Sequence, residues 1–305
     1  MLIPVLVGPT GIGKTRVAAE LARFTPVEIV SADSRQIYRG LDIGTAKPEA
    51  SDRAAAPYHG LDLVEPAERY AAGRFAREAE GWIAGIIGRD RLPLIVGGTG
   101  FYLRALFEGL FEEPALDPAR RARLREALAR QPRAELARWA SRLDPGFRGG
   151  GAQRAARAVE VALLAGRALS ALQRDAPPRA PVYRPWYVLL TLPRPVLAAR
   201  IADRAGAMLA RGWVAEVRAL LDAGVPPSAP GMSAVGYREV LAHLAGRLHA
   251  AGLAAAIAAV TRRYAKRQDT WFRHQLHRPV RRFDAARPPE ALAREVLAGY
   301  RAAAT

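Results

Sequence analysis

Residues 8–15 read Gly8-Pro9-Thr10-Gly11-Ile12-Gly13-Lys14-Thr15, a complete G-x-x-x-x-G-K-T loop between the apolar run 2–7 and a helix-like stretch, 16–24. A strand, a glycine-rich loop and a helix start, in that order, make a phosphate cradle. The glycines let successive N–H groups converge on phosphate oxygens, while Lys14 adds a point charge and Thr15 a hydroxyl suited to Mg²⁺. The motif grips a di- or triphosphate without saying which. Asp33 follows the apolar run 27–31 within Ser31-Ala32-Asp33-Ser34-Arg35-Gln36. Its carboxylate suits a metal or a general base, and equally a helix cap. Thr99, among Gly97, Gly98 and Gly100, ends the run 92–96, where its hydroxyl either reaches a phosphate or an amine or simply serves a turn. An ATP-dependent phosphotransferase calls for an acid at the end of a hydrophobic strand, but Leu94-Ile95-Val96 leads into glycine. Asp33 is the one early candidate for that acid, so a hydrolase or kinase is less well supported than the loop alone suggests.

Loops of this kind need a sheet to bring them to one edge. Over the first hundred residues short apolar runs alternate with helix-like stretches such as 70–89, the pattern of a parallel sheet covered by helices. Ligand chemistry in such sheets gathers at the C-terminal ends of strands, which are here the segments 8–15, 32–38 and 97–102. From Pro114 onward the chain turns helical and arginine-rich, with an expected helix over 117–140 capped by Asp117-Pro118 and another over 153–165 after the glycines 149–151. A proline-rich stretch, 177–185, precedes one more buried strand, 186–192. The expected fold is therefore α/β, a parallel sheet flanked by helices. It has a discontinuous catalytic core, 1–111 plus 186–305, and a basic helical insertion, 112–185. Helices are expected over 194–211, which carries Arg200, Arg204 and Arg211, and over 214–223 and 254–276.

The net charge of +17 lies wholly downstream of residue 100, since acids and bases balance before it. A polyanion larger than a nucleotide suits that excess, and so does compositional drift toward arginine. The densest tract, 262–282, holds eight Lys or Arg residues and one acid, Asp269, interleaved with Tyr264, Trp271 and Phe272 and followed by Phe283. Rings among cations fit splayed bases, and an amphipathic helix that packs its aromatics inward gives the same pattern. The absence of cysteine excludes disulfides and thiolate chemistry, and the five histidines show no metal-binding spacing. No apolar run reaches the length of a membrane span, and the first strand begins at the N-terminus. A cytoplasmic monomer without membrane contact is therefore expected.

Together, Gly8–Thr15, Ser31–Tyr38, Asp42-Ile-Gly-Thr-Ala-Lys-Pro48, Gly97–Tyr102, Gln153-Arg-Ala-Ala-Arg157, Val235-Gly-Tyr-Arg238 and Lys266-Arg-Gln-Asp-Thr-Trp271 resemble, in order and over nearly the whole chain, the tRNA dimethylallyltransferases, or tRNA isopentenyltransferases. The resemblance implies a P-loop NTPase-like fold. It implies transfer of a dimethylallyl group from dimethylallyl diphosphate to N6 of the adenosine on the 3′ side of the anticodon, with diphosphate released. It gives Asp33 the role of general base and Thr99 that of its hydrogen-bonding helper. Gly8, Pro9, Thr10, Gly11, Ile12, Gly13, Lys14, Thr15 and Arg204 would hold the diphosphate, with Mg²⁺ at Thr15. Ser34, Arg35, Gln36, Gln153, Arg154, Arg157, Gly236, Tyr237, Arg238, Lys266, Arg267 and Gln268 would contact the tRNA anticodon stem-loop. The chain departs from the family at Gly150-Gly151-Ala152, where an acid and a proline are common, and it resembles the shorter bacterial members, without a zinc module. The rival readings are an adenylate isopentenyltransferase acting on free nucleotide, a P-loop small-molecule kinase, and an RNA-binding NTPase without transferase chemistry.

Overall fold

A computed structural model describes residues 1–111, 116–175, 180–276 and 279–304. The expected boundary at Pro114, the prolines 177 and 178, His277 and Arg278 lie outside the described residues. The chain divides into two compact units, one of Met1–Phe107 with Pro181–Thr305 and one of Glu108–Ala180.

The first unit is built on strands β1 (Leu2–Val7), β2 (Val27–Ala32), β3 (Tyr58–His59), β4 (Leu92–Gly97), β5 (Arg184–Thr191) and β6 (Val280–Asp284). They form one sheet in the order β3-β2-β4-β1-β5-β6, with every pairing parallel. β1 lies inside it, paired Val5 to Ile95 on one side and Leu2 to Arg184 on the other. Five of its six residues are buried, as a strand covered on both faces requires. Its helices are α1 (Lys14–Phe24), α2 (Ala50–Ala55), α3 (Ala72–Ile87) and α4 (Gly100–Phe107). The second unit consists of α5 (Pro118–Ala129), α6 (Arg133–Leu143), α7 (Ala152–Ala165) and α8 (Leu169–Asp175). The chain then returns to the first unit with α9 (Arg194–Ala210), α10 (Trp213–Asp222), α11 (Tyr237–Leu244), α12 (Ala250–Gln275) and α13 (Pro289–Ala304).

The single helix expected over 117–140 is two. Pro132 stands at the N-cap of α6, and a proline there cannot continue the preceding helix. At the start of α5 the Asp117 carboxylate accepts from the Ala119 and Arg120 amides at 2.8 and 3.0 Å. This second unit is held by Leu128, Leu136, Ala140, Ala158 and Val159. It also buries Glu160, whose carboxylate accepts from Arg121, Arg125 and Arg157.

Within the first unit one apolar cluster lies against α1 and α13, and includes Leu6, Val17, Leu21, Val188 and Val296. Another joins α9, α10, α11 and α12 around Trp213, Tyr237 and Ile257. At the start of β2, Glu28 is buried, paired with Arg89 at 2.7 Å and with His59 at 2.7 Å. Chiefly the Arg89 hydrogen bonds hold its carboxyl near pH 2, below the ordinary 4.5, against the cost of burial. A lowered carboxylate contributes stability that is complete above about pH 4.5 and lost as pH falls toward 2, here about 3 kcal/mol. Glu28→Gln is thus expected to melt well below the parent at neutral pH. The gap should narrow as the buffer is acidified from about pH 4.5. A constant gap in melting temperature across that range would show that the pair carries no such linkage.

Candidate active site

The phosphate loop follows β1, with Gly8, Gly11 and Gly13 all at positive φ (151°, 80° and 104°). At Gly8 a Cβ would sit 3.0 Å from the Leu190 carbonyl oxygen, so the loop lies close against β5. Ile12 pins the loop from below with a fully buried side chain. Gly13 caps α1, so the first-turn amides of that helix, which no helical carbonyl can satisfy, are those beside Lys14 and Thr15. Lys14 folds back so that Nζ donates to the carbonyls of Gly8 (2.8 Å) and Pro9 (3.0 Å). Burial lowers its pKa from 10.5 to about 8. The Asp33 carboxylate opposes that lowering and Arg204 adds to it. Burial likewise lowers the pKa of the Arg204 guanidinium, again against Asp33.

These groups line one cavity. Thr10, Gly11, Lys14, Asp33, Arg35 and Arg204 give it a polar, mostly cationic end, while Ile201, Ala205, Met208, Trp213, Val235 and Ile257 supply an apolar wall. Of the arginines on α9 and at its C-terminal cap, Arg204 alone lines it. Arg200 donates instead to the Ala285 carbonyl at 3.3 Å, and Arg211 pairs with Glu49 at 2.6 Å. Gly98, Ala234, Thr261, Tyr264 and Gln268 also line it, as do Gly44, Thr45 and Ala46. The loop that carries them is fixed from two sides. The Glu216 carboxylate accepts from the amides of Asp42, Ile43 and Gly44 at 2.5 to 3.2 Å, and buried Lys47 bonds Asp42, Asp62 and the Tyr38 carbonyl. From sequence, residues 44–46 entered only through the family resemblance and Tyr264 only as a ring among cations, and none of them, nor Met208 or Thr261, was expected at this cavity. Helical spacing carries that signal, because 201, 204, 205 and 208 share one face of α9 and 257, 261, 264 and 268 one face of α12.

Asp33 lies just past β2. One carboxylate oxygen, Oδ1, accepts from the Arg35 amide at 2.9 Å, so the local turn and the cavity share this side chain. Thr99 does not line the cavity. Its hydroxyl accepts from the Ser34 amide at 2.9 Å and donates to the Ser34 hydroxyl at 3.3 Å, and its amide donates to Ala32. Expected as a catalytic helper, it holds the turn that presents Asp33.

The residues expected at RNA fall into two groups. Arg238, Lys266 and Arg267 are exposed, and so are Gln153 and Arg154 at the start of α7 in the second unit. Others are buried or engaged within the protein. Tyr237 is fully buried and its hydroxyl donates to Glu216 at 2.7 Å. Gly236 sits at φ 93°, where a Cβ would meet the Trp213 ring at 2.2 Å. Gln36 accepts from Ser31 and donates to the carbonyls of Thr45 and Ala46. Arg157 is bound to Glu160 at 2.7 Å, and the Arg35 guanidinium donates to the Pro230 carbonyl and the Ser233 hydroxyl. Gln268 is buried. Of the aromatics in and after the basic tract, Tyr264 lines the cavity and Trp271 is half-buried. Phe272 and Phe283 belong to the core, and Trp271 packs where a Cβ on Gly100 would lie 2.3 Å from its ring. That leaves the exposed arginines and Lys266, not the rings, facing outward.

A profile of the IPP transferase family matches residues 36–275, and one of isopentenyl transferases matches 1–55. The tRNA dimethylallyltransferase of Anaeromyxobacter sp. (strain K) is 44% identical over 301 residues, 97% of each chain. That of Thermomicrobium roseum is 42% identical over 289 residues, 93% of this chain and 86% of its own. Among solved structures, the full-length tRNA isopentenylpyrophosphate transferase of Bacillus halodurans superposes with a TM-score of 0.71 at 31% identity, covering 97% of this chain and 95% of its own. A eukaryotic dimethylallyltransferase acting on tRNA reaches 0.78 at 25% identity, covering 93% and 74%.

Proposed function

Since the chain belongs to the IPP transferase family of tRNA dimethylallyltransferases, we propose that its cavity joins dimethylallyl diphosphate to N6 of the adenosine on the 3′ side of the anticodon. The observation that carries this reading is the two-ended lining. Lys14 and Arg204 suit a diphosphate, the wall of Ile201, Met208, Val235 and Ile257 suits a short hydrocarbon, and Asp33 lies between them in charge, coupled to both cations. A nucleotide kinase needs no such wall and needs an acid that β4 does not end on.

In the reaction the N6–C1 bond forms as the C1–O bond breaks. The electron pair leaves on the diphosphate, and the amine proton passes to the Asp33 carboxylate. Lys14, Arg204 and the first-turn amides of α1 meet the charge where it develops. An adenine amine is a weak nucleophile, so holding it in line contributes as much as removing its proton. For Mg²⁺, the candidate residue is Thr15, whose hydroxyl lies at the start of α1 next to the cradle. Such a site leaves the metal to be held by Thr15, water and diphosphate oxygens, where it would neutralise the leaving group. Exposed Lys266, Arg267 and Arg238 are proposed to grip phosphates of the anticodon stem-loop, and Gln153 and Arg154 are the second unit's own exposed candidates for tRNA contact. The target base must leave its stack to enter the cavity.

Incubation with Mg²⁺, unmodified tRNA and radiolabelled dimethylallyl diphosphate is expected to place label in tRNA. Label entering AMP alone would make the protein a free-nucleotide enzyme, and steady ATP hydrolysis without label would reassign the phosphate loop.

A further inference from the structure

Gln268 follows Lys266 and Arg267 on α12, yet it faces the opposite way and is 6% exposed. Its carboxamide is used at both ends. Oε1 accepts from the Thr10 amide at 2.8 Å, and Nε2 donates to the Gly98 carbonyl at 2.9 Å. Those partners lie 258 and 170 residues away in sequence, on the loops that follow β1 and β4. The fit at Gly98 is tight, since a Cβ there would stand 2.3 Å from Nε2. The first loop is the phosphate cradle. The second carries Thr99, which holds Ser34 beside Asp33. A buried amide whose donor and acceptor are both engaged is costly to disturb, because each partner would be left unpaired. With the Thr10 N–H drawn onto Gln268, the orientation of the next peptides in the loop is set from outside the loop.

We propose that Gln268 is a positioning residue for this active site: one carboxamide locks the phosphate loop to the Gly98 turn, so that diphosphate affinity is set from the helix whose outer face bears Lys266 and Arg267. The proposal rests on the reading of Gly8–Thr15 as the diphosphate cradle. It also gives α12 two separable roles, phosphate contact through its exposed cations and loop geometry through its buried amide.

Two variants reach the same contact from opposite sides. Gln268→Met keeps an unbranched side chain of similar length and removes both hydrogen bonds. Gly98→Ala leaves α12 untouched and pushes the amide out of place. With inorganic pyrophosphate and Mg²⁺ as the probe, each is expected to bind about tenfold more weakly than the parent and to melt at a lower temperature, with little change in tRNA affinity. The double variant should lose no more than either single one, because both break one contact. Lys266→Ala with Arg267→Ala is expected to show the opposite pattern, a shift in the tRNA constant. Pyrophosphate affinity at the parental value in both single variants overturns the proposal, and weakened tRNA affinity alone in Gln268→Met would make Gln268 an RNA contact instead. Should Gln268→Met fail to fold, Gly98→Ala decides the matter. A parent protein that binds no pyrophosphate would refute the cradle reading itself, an outcome distinct from either of these.

Discussion

Asp33→Asn is expected to lower the rate of prenyl transfer by about 10²- to 10⁴-fold, the range for a positioned general base, while tRNA binding holds. Asparagine is the informative replacement. Its side-chain oxygen can still accept from the Arg35 amide, so the turn survives and only the charge and the proton-accepting oxygen are lost. The charge has a second duty that the same variant exposes. Asp33 opposes the lowering of the Lys14 and Arg204 pKa values, so its removal should bring the Lys14 pKa below about 8. The measurement is single-turnover transfer under saturating dimethylallyl diphosphate, with equilibrium tRNA binding alongside. Transfer at the parental rate would remove Asp33 from the chemistry. Parallel loss of rate and of tRNA affinity would assign it to binding.

Much of the frame that places Asp33 was legible. β1, β2, β4 and β5 are short apolar runs bounded by glycine or polar residues, and the phosphate loop announces which strand end matters. β6 was hidden because three of its five residues, Arg281, Arg282 and Asp284, are charged and exposed on a sheet edge, and it read as part of the basic tract. β3 spans two residues and leaves no periodic trace. The site was legible in its cationic end and opaque in its wall. Gln268 beside Lys266 and Arg267 reads as one more RNA contact, but helical geometry puts position 268 on the side of 257, 261, 264, 265 and 272, which is the interior. Tyr237 beside Arg238 misleads in the same way. In both cases adjacent residues in a motif diverge by a rotation of the helix, and only the periodicity of their apolar neighbours says which one is inside.

Lys14→Met is expected to reduce affinity for pyrophosphate, and prenyl transfer with it, by about 10²- to 10³-fold, the scale of losing one preorganised charge at a developing anion. The ammonium has three protons, and the carbonyls of Gly8 and Pro9 hold two of them, leaving the third to donate to a bound anion. That arrangement exacts a pH dependence whose sign is fixed. With the free-protein pKa near 8, Lys14 is largely neutral at higher pH, and an arriving diphosphate must then draw a proton onto it. Affinity should therefore be level below about pH 8 and fall as pH rises beyond it, by up to about tenfold per unit until the pKa of the complex is reached. The methionine variant has no proton to recruit, so its weaker binding should lose this limb. Titrations with pyrophosphate and Mg²⁺ from about pH 7 to about pH 9.5 check both statements at once. A parental profile that runs parallel to that of the methionine variant, which carries the titration of pyrophosphate itself, would mean that Lys14 remains charged in the free protein, and that burial by the loop does not govern it.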